Sequence, residues 1–211
     1  MAIICFEGAS AVGKTTTAQA LAENHAAFVV PEVNQLFTRP ENEPREWYFD
    51  RQVDRWQIAH ENSQTNELVI LDGDPFQPLW YNWAYDYVGW QKPDFMEEFY
   101  ERAIKNKMID FPDLYFIFNT SETELRKRRL SDATRQRRGF ETHLKMIEPQ
   151  RRYFEAVKIF SPVRILFLEA ETIESNVKFI QKRASSLQLL EKSEPEFLFG
   201  KIIQWLRENK A

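Results

Sequence analysis

Gly8-Ala9-Ser10-Ala11-Val12-Gly13-Lys14-Thr15 fits the phosphate-binding pattern G-x-x-x-x-G-K-[ST], and its flanks place it where that pattern works. The apolar run Ala2-Ile3-Ile4-Cys5-Phe6 before it reads as a buried strand, and Thr16-Thr17-Ala18-Gln19-Ala20-Leu21-Ala22 after it as helix. Strand, glycine loop and helix together predict an anion cradle. Glycines at 8 and 13 let successive backbone N–H groups converge on one hollow, and the positive end of the helix adds to the field. In such a cradle Gly8, Ala9, Ser10, Ala11, Val12, Gly13, Lys14, Thr15 and Thr16 surround the phosphates of a nucleotide. Lys14 reaches the β and γ phosphates and Thr15 offers its hydroxyl to a metal, so ATP and Mg²⁺ are the expected cofactors.

Outward from this loop, short apolar runs bounded by polar turns recur at Phe28 to Pro31, Leu68 to Leu71, Leu114 to Phe118 and Arg164 to Leu168. With Ile3 to Phe6 they read as strands buried on both faces. Segments with helical spacing lie between them: Thr15 to Asn24, Arg45 to Gln64, Asp94 to Lys107, Thr123 to Leu130, Phe140 to Phe160, Ile173 to Ser186 and Pro195 to Asn209. Alternation of this kind predicts an α/β fold, a doubly wound and mostly parallel five-stranded sheet with helices on both faces. Pro31, Pro75, Pro78, Pro93, Pro112 and Pro162 fall in the expected connections. The last helix, carrying Phe197, Leu198, Ile202, Ile203 and Trp205, is expected to pack on the sheet edge.

A length of 211 residues suits one domain over 1–211. Cys5 is the single cysteine, which excludes a disulfide framework and fits a reducing, cytoplasmic compartment. No run approaches the roughly 18 apolar residues of a membrane span, so no membrane partner is expected. The net charge of −4 makes nucleic acid an unlikely partner overall, and the basic residues crowd locally between Arg126 and Arg138. The aromatic surplus leaves a homodimer open.

Ligands of open α/β sheets gather beyond the carboxyl ends of the strands, so the acids found there are candidates. Glu32 follows the second strand and could take the proton of an attacking hydroxyl. Asp72 follows the third, placed to hold Mg²⁺ beside Thr15, and Asp74 either shares that duty or caps the next segment. The run from Leu125 to Glu141 has the composition of a mobile lid at about 126–141, its arginines closing on phosphoryl charge and Gly139 acting as a hinge. A solvated basic face and a nucleic-acid surface are the rival readings of that run. The aromatic run Phe76, Trp80, Tyr81, Trp83, Tyr85, Tyr87, Trp90 is read as either core or pocket. His25, His60 and His143 show no metal-ligand spacing and receive no role.

These residues resemble the P-loop nucleoside and nucleotide kinases, deoxynucleoside kinases in particular, with thymidylate kinase as a near relative. IICFEGASAVGKTT is similar to their opening, VVPEV to the segment carrying their catalytic glutamate, and ELRKRRLSDATRQRRGFE to their lid. The resemblance covers residues 1 to about 170 and implies a P-loop NTPase three-layer sandwich with an arginine-rich lid. It implies Lys14, Glu32, Arg135 and Arg138 as catalytic residues, with Arg126, Arg129 and Arg137 as further phosphate arginines. Thr15 and Asp72 become the metal ligands, and Glu32, Gln52 and Arg55 face a small, nucleoside-like acceptor. One departure stands out: the family pairs the acid after the third strand with an arginine, where this chain has Asp72-Gly73.

Transfer of the γ-phosphoryl group of ATP to a nucleoside or nucleotide is therefore the expected function. A kinase for another hydroxyl compound, such as an antibiotic or cofactor precursor, is the alternative that the missing arginine supports. A nucleotide-dependent switch is the alternative from another class; Asn119-Thr120-Ser121-Glu122 lacks the N-K-x-D guanine signature of GTPases.

Overall fold

In the computed structural model, which describes residues 1–88, 91–131, 139–162, 164–186 and 194–211, the phosphate-loop strand lies at the centre of the sheet. That strand, β1 (Ala2–Gly8), pairs with β3 (Leu68–Asp72) on one side and β4 (Leu114–Asn119) on the other. The edges are β2 (Phe28–Val30) and β5 (Ile165–Glu169), giving the order β2-β3-β1-β4-β5. Every pairing among these strands is parallel, so the sheet is wholly rather than mostly parallel. Register fixes what meets at the carboxyl ends: Phe6 lies opposite Asp72, and Gly8 opposite Phe118.

Alternate residues of β1 feed two cores. Ile4 and Phe6 join α1 (Lys14–His25) and α9 (Ile173–Ala184) through Ala18, Leu21, Val177 and Ile180. Ile3 and Cys5 face the other layer, α3 (Trp47–Asn62), α4 (Gln77–Ala84), α5 (Pro93–Lys105), α8 (Ile147–Phe160) and α10 (Pro195–Glu208). With both sheet faces covered, water is absent from either side, which is why these strands are continuous apolar runs. The remaining helices are α2 (Val33–Leu36), α6 (Glu122–Ser131) and α7 (Phe140–Lys145).

Several expected boundaries move. The stretch Phe140 to Phe160 is two helices joined at Met146. Pro149 accounts for the break: it has no N–H for the Lys145 carbonyl, and its ring crowds that carbonyl. Pro78 and Pro93 lie in the first turns of α4 and α5 rather than in connections, where a missing N–H costs nothing. Trp80, Tyr81 and Trp83 of the aromatic run are thus on helix α4. The last helix does not lie on a sheet edge; α10 packs against α5 and α8, burying Leu198, Phe199, Ile202, Ile203 and Leu206.

Candidate active site

The phosphate loop is held by its neighbours before any ligand arrives. Gly8 has φ of 137°, and a Cβ there would fall against the backbone carbonyl of Phe118 on the paired strand. Only glycine lets β1 stay in the sheet and turn at once into the loop. At the other end Gly13 starts α1 with no side chain capping its first N–H groups, leaving those donors for an anion. Lys14 Nζ donates to the carbonyls of Gly8 at 2.7 Å and Ala9 at 3.3 Å, so the ammonium is folded across the loop it serves.

Thr15 Oγ1 donates to Asp72 Oδ2 at 2.8 Å. Asp72 is 1% exposed, and its second oxygen, Oδ1, is buried with no partner among the described residues. A buried carboxylate oxygen without a partner is costly unless something positive meets it. A hydroxyl beside an incompletely paired carboxylate is the oxygen donor set Mg²⁺ takes, since this ion usually completes its shell with waters and nucleotide phosphates. The residues fit that metal.

Asp74 plays a different part from Asp72. Its Oδ1 accepts from the Phe76 backbone N–H at 2.9 Å and from the Tyr115 hydroxyl at 3.0 Å, so it caps the turn into α4. Burial, reinforced by the nearby charge of Glu7, pushes its carboxyl up to about 8. Glu7, also buried and raised chiefly by desolvation, accepts from the N–H groups of Asp74 at 2.8 Å and Gly8 at 3.2 Å and from Gln150 Nε2 at 2.8 Å. One side chain thereby ties the phosphate loop, the β3–α4 turn and α8.

Glu32 caps the backbone of α2 but spends no side-chain hydrogen bond on it, and its exposed carboxylate borders the cleft. Arg55 stands behind it. Its guanidinium, 1% exposed, donates to Pro31 O at 2.8 Å, Asp72 O at 2.8 Å, Gly73 O at 3.0 Å and Gln52 Oε1 at 2.6 Å. Gly73 at φ 98° brings two successive carbonyls within reach of one guanidinium. No arginine follows Asp72 in the chain, yet one reaches the same turn from α3.

Helices α6 and α7, which flank the expected lid, are described; Arg135, Arg137 and Arg138 lie outside the described residues. Arg126 forks onto Glu141 at 2.8 and 2.9 Å, and Arg129 reaches the same carboxylate at 3.4 Å while covering the Phe140 ring. Both therefore join α6 to α7. Two residues without an expected role stand at the site. Arg128 donates to Val12 O at 2.8 Å and to Ala170 O at 2.9 Å, bracing the phosphate loop against the β5–α9 connection. His143 lines the cleft on α7, its imidazole pushed below the ordinary value by burial and by the Lys14 charge, with Glu32 opposing. The sequence offered no spacing signal for either, because each acts on a residue more than 100 positions away.

Glu7, Thr15, Glu32, Arg55, Asp72 and His143 line one cleft of about 720 Å³, which runs from the phosphate loop past Glu32 to Tyr48, Gln77, Trp80, Tyr81 and Gln91. That volume suits a small-molecule site. Tyr48 donates to Gln77 Oε1 at 2.8 Å, and burial holds its phenol at about 12. The aromatic run divides: Trp80 and Tyr81 reach the cleft, whereas Phe76 and Trp83 belong to the core. Trp90 lies outside the described residues.

Residues 3–159 match the family model described as an AAA domain. The chain belongs to that family. No curated protein sequence matches it. Among solved structures it is similar to deoxyadenosine kinase from M. mycoides with bound dATP, at 14% identity and a TM-score of 0.58, over 88% of this chain and 100% of that one. It is also similar to thymidylate kinase from Candida albicans, at 14% identity and a TM-score of 0.56, over 91% and 96% of the two chains. The fold of this AAA-domain protein is accordingly that of the P-loop nucleoside and nucleotide kinases. Among the described residues no helix is long and apolar enough to cross a membrane.

Proposed function

We propose that this protein is an ATP-dependent phosphotransferase that moves the γ-phosphoryl group to a hydroxyl or phosphate of a nucleoside or nucleotide. The observation that carries the reading is the Thr15–Asp72 pair, with its unpartnered carboxylate oxygen, set between the phosphate loop and the open carboxylate of Glu32 in one cleft. In this reading the loop amides and Lys14 hold the triphosphate, and Lys14 leaves the Gly8 and Ala9 carbonyls for phosphate oxygens. Thr15 and Asp72 would hold Mg²⁺, which supplies positive charge to the bridging phosphates when bound. Glu32 accepts the proton of the attacking hydroxyl. Arg135 and Arg138, between α6 and α7 in the chain, are the proposed partners of the transferring charge. Gln52, backed by Arg55, faces the acceptor's far end.

The test is incubation with Mg²⁺ and ATP against nucleosides, nucleoside monophosphates and hydroxylated antibiotics, following ADP and phosphorylated product. One acceptor class should yield product, Lys14→Ala should abolish it, and Glu32→Gln should slow it by about 10²-fold or more. Acceptor-independent hydrolysis alone, unchanged by Glu32→Gln, would sink the kinase reading in favour of a nucleotide-dependent switch.

A further inference from the structure

One flank of the cleft is a single stripe of side chains. His143, Met146, Ile147 and Gln150 stand at spacings of three, four and seven along α7 and α8, and all of them line it. Met146 and Ile147 are apolar, and Gln150 Nε2 is committed to Glu7 Oε2 at 2.8 Å. His143 is thus the one member of the stripe able to carry charge. Its half-buried ring folds back over Gly139, where a Cβ would meet Nε2 at 4.0 Å. Neither ring nitrogen has a hydrogen-bond partner among the described residues.

The stripe is tied to the phosphate loop at both ends. At the first, Phe140 is buried in the same core as Val12, and Glu141 is held by Arg126 of α6, the helix whose Arg128 donates to Val12 O. At the second, Gln150 binds Glu7, which also accepts the Gly8 N–H. His143 is therefore fixed relative to the loop before a ligand arrives. Among the described residues two charges act on its ring from other elements, Lys14 at the start of α1 and Glu32 beyond β2. These are the phosphate lysine and the proton acceptor of the reading above. On α7 and α8 the neighbouring charges are Glu141, Lys145 and Glu148, all exposed, and Glu141 is spent on Arg126 and Arg129. Burial and Lys14 disfavour the charged ring, with Glu32 opposing; a triphosphate laid along Lys14 brings negative charge that favours it.

Resting on the kinase reading above, we propose that His143 is a further catalytic residue, which donates an N–H to the non-bridging oxygens of the transferring phosphoryl group alongside Lys14. The ring takes one proton from solvent as the nucleotide binds, and the imidazolium keeps it through the transfer. The bond from phosphorus to the β,γ-bridging oxygen breaks as the bond from the acceptor oxygen forms, and the proton of an acceptor hydroxyl passes to Glu32. A preorganised cationic donor aimed at the transferring group acts on turnover more than on binding.

The test compares the full chain with His143→Ala and His143→Gln, using the acceptor that yields product in the assay above. His143→Ala should lower kcat by about 10²-fold while the KM for ATP stays within about twofold. His143→Gln keeps an N–H donor without the charge and should recover part of the loss. Wild-type kcat should fall as pH climbs past the ring's value in the complex, and that limb should be missing in His143→Gln. Calorimetric titration with Mg²⁺ and a non-hydrolysable ATP analogue, in buffers of different ionisation enthalpy, reads the proton directly: the wild type should take up more than His143→Gln. Thermal melts confirm that both variants are folded. Turnover of His143→Ala within about threefold of the wild type, or equal proton uptake in wild type and His143→Gln, overturns the proposal. A raised KM for ATP with kcat unchanged overturns it too, since it assigns His143 to binding alone. Binding of the analogue with no acceptor ever phosphorylated brings down the kinase reading itself, and the catalytic role of His143 with it.

Discussion

At its phosphate end the cleft is made from consecutive residues of a single loop, whereas at its far end the contacts join residues well separated in the chain: Tyr48 with Gln77, and Arg45 with Gln91. The first end presents backbone N–H groups and one lysine, whereas at the second arginines hold the carboxamide oxygens of Gln52 and Gln91. A backbone cradle depends on the turn more than on its side chains, of which Val12 is buried in the core beneath the loop. The side-chain wall is specified residue by residue. The two ends are thus built from different kinds of structure.

Substitutions can separate the two ends. The largest expected effect is at the metal position: Asp72→Asn should lower kcat by about 10²–10³-fold, the cost of losing one preorganised electrostatic group. Calorimetric affinity for the acceptor should stay within about twofold of the wild type, since one good hydrogen bond is worth more than that. Equal loss of turnover and acceptor affinity would show that the two ends are one unit.

Arg55 is where they are joined, donating to carbonyls of both the β2 and β3 ends and to Gln52. Arg55→Met, which keeps much of the packing volume, should lower the unfolding free energy in urea by about 2–3 kcal/mol as carbonyls lose a charged donor. It should also weaken acceptor binding. Unchanged stability would mean that water replaces the guanidinium at no cost.

A subtler effect is predicted beneath the site. The carboxyl of Asp74 is raised in the fold to about 8 from an ordinary 3.8, so the folded state holds a proton that the unfolded chain releases. That contribution to stability is fully present below about 4 and is lost as pH climbs toward 8. Unfolding free energy measured in urea from pH 5 to 8 should therefore fall, and Asp74→Asn should flatten the slope. An equally steep slope in the variant would assign it to other groups, Glu7 foremost.

The sequence by itself determined the parts whose information is local. The GASAVGKT loop, the five apolar runs and the acids at their ends followed from period, length and glycine position, because a strand buried on both faces and a phosphate cradle each impose their pattern on neighbouring residues. Asp72 beside Thr15 was legible for the same reason: Asp72 closes β3, and Thr15 opens the helix reached by the loop that follows the neighbouring β1. Tertiary structure alone decided the rest. Arg126 and Arg129 pair with Glu141, whereas Arg128, identical in type, braces the phosphate loop. Nothing in composition distinguishes three arginines within one helix; only the direction of each side chain does. The arginine missing after Asp72 arrives from α3, and at the far end Gln52 and Gln91 each turn a carboxamide oxygen toward a guanidinium. Long side chains span gaps between elements, so their partners are set by how helices pack on the sheet, and no spacing along the chain records that.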